Sequence, residues 1–141
     1  EWETLAKMGV PGQPEVECAG KESIRGIGNL WIVAEGESLP VESSVSSLMT
    51  LGYDSNKQKV VGIWIDSVFN HMWRYEGTLN ETGNALTLMT EGPSFDDPTK
   101  MTDYKEVLEL KDKDHKVLTS YVKTSDGTWM PFVTVEGKRI K

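Results

Sequence analysis

Turn-forming residues punctuate this chain roughly every 8 to 15 positions, the rhythm of an all-β protein. Val10-Pro11-Gly12-Gln13-Pro14 reads as a loop, because prolines cannot donate to a ladder and glycine weakens one. Asp54-Ser55-Asn56-Lys57 and Asn80-Glu81-Thr82-Gly83-Asn84 read as tight turns, in which Asp or Asn satisfies local backbone groups. Lys111-Asp112-Lys113-Asp114 and Ser125-Asp126-Gly127 complete the series, and Asp126-Gly127 is a strong hairpin signal. Parallel strands need crossovers of about a dozen residues or more. The connections here are shorter, so neighbouring strands must pair antiparallel.

Ten candidate strands lie between the turns. They run over Glu1–Met8, Val16–Ile27, Leu30–Glu37, Val45–Tyr53, Lys59–Asp66, His71–Leu79, Ala85–Glu91, Tyr104–Leu110, Lys116–Lys123 and Thr128–Val135. Many are rich in Val, Ile, Thr, Trp and Tyr, which suit a pleated, half-buried surface. Alternation is clear in several. Val61, Ile63 and Ile65 share one face, opposite Gly62, Trp64 and Asp66. Trp73, Tyr75 and Leu79 oppose Met72, Arg74 and Glu76. Leu118, Ser120 and Val122 oppose Val117, Thr119 and Tyr121. An open sheet of this kind exposes two edges, and closure removes both. The expected fold is therefore an all-β antiparallel meander closed into a barrel of about eight to ten strands. A two-sheet sandwich is the alternative. The 141 residues suit one domain spanning 1–141.

Charge narrows the partners. The net charge is −7, and the only dense basic cluster is Lys138, Arg139 and Lys141. That cluster reads as a solvated tail. Nucleic acid requires a basic face to displace counterions, so no nucleic-acid partner is expected. The same reasoning disfavours an anionic membrane surface. Cys18 stands alone, which rules out an internal disulfide. No apolar run approaches the roughly 18 residues that span a bilayer. The chain starts at Glu1 inside what already reads as a strand, so its natural start is expected upstream. A cytoplasmic location is the default expectation.

Four phrases belong together as a pattern: Met49-Thr50-Leu51-Gly52-Tyr53-Asp54, Gly62-Ile63-Trp64-Ile65-Asp66-Ser67, His71-Met72-Trp73-Arg74-Tyr75-Glu76-Gly77 and Lys116-Val117-Leu118-Thr119-Ser120-Tyr121. As a set they resemble the bacterial uncharacterised-domain family DUF1579, over nearly the whole chain from Trp2 to about Arg139. The resemblance implies a calycin-like barrel, related in shape to lipocalins, fatty-acid-binding proteins and streptavidin. It implies a cup for an apolar or amphipathic small molecule, and it supplies no catalytic residue. Some small calycin-like barrels hold haem through one histidine, but nothing in the spacing here demands it, and no cofactor or metal is expected.

In a meander, alternate connections emerge at the same end. The stretches 67–70 and 92–100 therefore share a rim, where Phe69 and Phe95 would cover a mouth. The candidate ligand-binding residues are Trp64, Asp66, Phe69, His71, Trp73, Arg74, Tyr75, Glu76 and Phe95. Rings would hold an apolar body, with Arg74, Glu76 or His71 as polar anchors. Two other readings stay open. One is an enzyme using Asp66, His71 or Glu76 as acid or base, which requires these groups to converge. The other is a structural module that dimerises through an exposed barrel face. Period-2 alternation leaves open whether Trp64 and Asp66, or Arg74 and Glu76, face the interior.

Overall fold

The computed structural model describes residues 1–9, 14–39 and 44–140. Ten strands follow one another: β1 (Trp2–Met8), β2 (Val16–Ile27), β3 (Trp31–Ser38), β4 (Ser46–Asp54), β5 (Lys59–Asp66), β6 (Trp73–Leu79), β7 (Ala85–Pro93), β8 (Met101–Asp112), β9 (His115–Lys123) and β10 (Trp129–Arg139). Each pairs antiparallel with its neighbour in sequence, and β1 also pairs with β10, so the sheet closes into a barrel. There is no helix among the described residues. The fold is the antiparallel meander barrel expected from the turn spacing.

The turns obey the local chemistry. Asp54 Oδ1 accepts the Asn56 and Lys57 amides at 2.9 and 3.1 Å. Asn80 Oδ1 accepts the Asn84 and Ala85 amides, each at 3.0 Å. Gly127 takes a φ of 86° beside Asp126. Three hydrogen bonds from Thr124 and Thr128 hold the Asp126 carboxyl down at about 2. Val10–Gln13 of the proline-rich loop lie outside the described residues.

Two strands outrun their sequence signals. β8 begins at Met101, and β10 continues to Arg139. The reason is closure: β1 needs a partner along its full length, and Trp2 pairs with Arg139. Lys138 and Arg139 are therefore strand residues with exposed side chains rather than a tail, and Lys141 lies outside the described residues. Pro131 has no N–H to give, and the β9–β10 register shifts between Pro131 and Val133.

Register decides which face is inside, because residues paired across strands share a face. Ala34 pairs with Met49, Met49 with Trp64, and Trp64 with Trp73. These four residues belong to or pack against the core, with Leu51, Tyr75, Leu86 and the fully buried Leu88. Two glycines in this wall are needed for close approach. A Cβ at Gly62 would fall 1.8 Å from the Thr50 carbonyl oxygen, and one at Gly77 would fall 1.9 Å from that of Thr87. Both obstacles are backbone of the adjacent strand and cannot swing away. Gly62→Ala and Gly77→Ala should each lower stability by about 3 kcal/mol. Gly127→Ala, which meets only the φ penalty, should lose about 1 kcal/mol. Urea unfolding midpoints will rank the three.

Candidate functional site

The inner face carries two polar groups of contrasting character. One is complete. Lys116 on β9 ion-pairs with Glu22 on β2, and its ammonium sits 4.7 Å from the Trp2 ring centroid. The Arg139 guanidinium lies 4.9 Å from the same ring. Trp2, at 6% exposure, lies beneath both cations. These charges have partners, as buried charges require.

The other group is incomplete. Glu106 on β8 pairs across the ladder with Leu88 on β7 and Ser120 on β9, so it points inward. Its carboxylate accepts a hydrogen bond from the Ser120 hydroxyl. No cation pairs with it among the described residues. Desolvation pushes the carboxyl up to about 7, and the Ser120 bond only partly opposes that. Tyr75 on β6 is 4% exposed, and its hydroxyl makes no hydrogen bond among the described residues. Burial drives the phenol up, and the charges of Glu106 and Asp66 push the same way. Thr90 Oγ1 on β7 is buried and has no hydrogen-bond partner among the described residues. Buried polar atoms nearly always have partners, so Thr90 Oγ1 beside a carboxyl with no cation makes this stretch of the inner face unlike an ordinary core.

The two rims differ. At the rim of the 67–70 and 94–100 connections, rings close the end. Phe95 stacks edge-on against Tyr104 and Phe132, with centroids 5.6 and 5.0 Å away. Tyr104 in turn meets Trp73 at 5.0 Å, and Trp73 meets His71 at 4.7 Å. The Tyr104 hydroxyl donates to the Pro93 carbonyl at 2.6 Å. At the opposite rim, Ile24, Ile32, Tyr53, Leu79 and Leu110 stand on the inner face. Leu79 pairs with core Leu86, and Ile32 with core Leu51. They nevertheless stay wet, with Tyr53 63%, Leu79 57%, and Ile32 and Leu110 49% exposed. These wet apolar side chains stand at the same end as the Lys116–Glu22 pair, Lys116 lying opposite Leu110 across the ladder.

The structure divides the nine candidate residues. Trp64, Asp66, Trp73 and Tyr75 face inward. Trp64 Nε1 donates to Asp66 Oδ2 at 2.9 Å, and Asp66 Oδ1 accepts the Val68 and Phe69 amides. Asp66 thus anchors the connection that follows it. Arg74 and Glu76 face outward, and Glu76 pairs with Lys57 and Lys59. The Lys57 partner holds the Glu76 carboxyl below its usual range. His71 sits at the closed rim with Nε2 3.1 Å from the Glu91 carbonyl oxygen. Phe95 is in the ring cluster, whereas Phe69 is 62% exposed and makes no ring contact among the described residues. Asp66, His71 and Glu76 therefore do not converge on one point. No group of three His, Cys, Asp or Glu suited to a metal occurs among the described residues. Glu106, Ser120 and Thr90 had not been singled out in the sequence. A signal existed: Tyr104, Glu106, Leu108 and Leu110 share one face of a strand, and Glu106 is the charge in that apolar row.

An open hollow of about 450 Å³ also crosses β1–β4. It is lined chiefly by outward residues such as Lys21, Ser23, Glu35 and Glu37, away from Glu106.

The profile of DUF1579, proteins of unknown function, matches residues 1–139. This chain belongs to DUF1579. No curated protein matches it. The crystal structure of Rv2717c from M. tuberculosis is similar to this DUF1579 barrel with a TM-score of 0.65. The match covers 99% of this chain and 91% of that one at 12% identity, a likeness of fold alone.

Glu106 makes this DUF1579 barrel's stability depend on pH. The unfolded carboxyl ionises near 4.5 and the folded one near 7, so the folded state keeps a proton that the unfolded chain has lost. The contribution is full below pH 4.5 and is lost as pH rises through about 7. The loss is on the order of 3 kcal/mol. Melting temperatures at pH 5 and pH 8 should differ in the wild type, and Glu106→Gln should shrink that difference.

Proposed function

We propose that this barrel is a binding protein for a small amphipathic molecule. The ligand enters by the apolar rim and places its polar group at Glu106. One observation carries the reading: an inward carboxyl has a single hydroxyl partner among the described residues, near the buried Thr90 hydroxyl, which has none there. Leaving a buried polar atom unpaired costs about 1–3 kcal/mol. A ligand's polar atom would satisfy Thr90 Oγ1 and the open positions of the Glu106 carboxyl together.

The remaining features agree in chemistry. Binding sites for small molecules are mostly apolar, with a few convergent polar groups. Here Trp64, Trp73, Leu86, Leu88 and Leu108 supply the apolar wall. The ring cluster around Phe95 occupies the far end, so this reading brings the ligand in from the rim at Tyr53 and Leu79. The dispersal of Asp66, His71 and Glu76 leaves an acid–base enzyme built on those three without geometric support.

The neutral probe N-phenyl-1-naphthylamine tests this by fluorescence. It should bind saturably with one site per chain. Leu79→Arg at the open rim should weaken it about tenfold or more by placing a charge across an apolar path. Met89→Arg, on the outer face, should leave it unchanged. Absence of saturable binding, or equal effects of the two variants, would overturn the proposal.

A further inference from the structure

The interior site, taken as the binding site proposed above, has a chemical bias that narrows its ligand. Its polar lining consists of side-chain oxygens: the Glu106 carboxylate, the hydroxyls of Ser120, Tyr75 and Thr90, and the nearby Asp66 carboxylate. The one N–H on this lining, Trp64 Nε1, already donates to Asp66. The inner-face cations are engaged elsewhere, Lys116 with Glu22 and Trp2, and Arg139 over Trp2. We infer that the ligand is a primary alkylammonium: a –NH₃⁺ head set among these oxygens, with an apolar tail running to the rim of Ile24, Ile32, Tyr53, Leu79 and Leu110.

The geometry gives three reasons. An ammonium carries three donors and no acceptor, which complements a site rich in acceptors and poor in free donors. Its charge offsets a carboxylate that no cation among the described residues neutralises, and a charge-assisted hydrogen bond is about twice as strong as a neutral one. The faces of Trp64 and Tyr75 favour a cation over an anion. A carboxylate or sulfate head would meet no free N–H and would face Glu106 and Asp66 together. Asp66 Oδ1 is taken up by the Val68 and Phe69 amides, and Oδ2 accepts Trp64 Nε1.

Charge on Glu106 then controls binding. The groups facing it are Ser120 on β9, Tyr75 on β6, Thr90 and Leu88 on β7, and Asp66 on β5. On β8 itself the inward neighbours are Tyr104 and Leu108. None of these is cationic. Removal from water holds the Glu106 carboxyl near 7, so Glu106 adds its negative charge to the site above that pH and loses it below.

Calorimetric titration with n-octylamine, n-octanol and octanoate at pH 5.5 and 8.5 tests this. Octylamine stays protonated at both pH values. It should bind about tenfold or more tightly at pH 8.5 than at pH 5.5, as ionisation of Glu106 requires. Octanol should bind equally at both, and octanoate most weakly. Glu106→Gln should remove the pH dependence and bring octylamine to the level of octanol. If that variant does not fold, the pH dependence of the wild type decides alone. Equal binding of octanol and octylamine at pH 8.5, or tightest binding of octanoate, would overturn the ammonium assignment. Either result would leave the binding reading intact so long as N-phenyl-1-naphthylamine still binds. Silence from every probe would remove both.

Discussion

The pairing of the first strand with the last holds this molecule together. β1 and β10 match over seven residue pairs, from Trp2 with Arg139 to Met8 with Val133. Without that ladder both strands would be edges, with unpaired N–H and C=O groups open to other chains. With it, every strand has two neighbours and the sheet has an inside. Trp2 shows the consequence. It stands at the very start of β1, yet it is buried because closure brings Lys116 and Arg139 over its ring.

An enclosed face raises the stakes for every polar side chain on it. The barrel answers in two ways. Beside β1, Glu22 and Lys116 neutralise one another, so that side of the interior is electrically complete. Across the barrel, Glu106 has only a hydroxyl, and the low dielectric makes its charged form costly. The two rims repeat the asymmetry. One is stopped by interlocking rings from Phe95 to His71, and the other leaves inward apolar side chains in water. Inward apolar side chains left wet at one rim, with an incompletely partnered carboxyl on the same inner face, are the observations from which the binding proposal follows.

The strands and their antiparallel order were legible because they follow from local chemistry. Turn residues limit each strand, and short connections forbid any other pairing. The ends of β8 and β10 were not legible. Met101–Asp103 and Glu136–Arg139 have little intrinsic strand character, and they become strand because neighbours need partners. Four of the nine candidate residues, Trp64, Asp66, Trp73 and Tyr75, face the interior, since aromatic residues in alternating strands tend to line a core. Arg74 and Glu76 alternate with them and necessarily face out.

Alternation with period two separates the side chains of a strand into two sets, and the chain alone determines that much. It is silent on which set faces in, because both faces of an isolated strand are equivalent. Trp64 could have accompanied Arg74 or Trp73, and the β5–β6 register placed it opposite Trp73. That choice, with the direction in which the sheet curls, put Glu106 inside and Glu76 outside. The same carboxylate chemistry gives a pair of surface ion pairs in one case and a desolvated, titratable group in the other. The difference is burial, and burial exists only once distant strands have met.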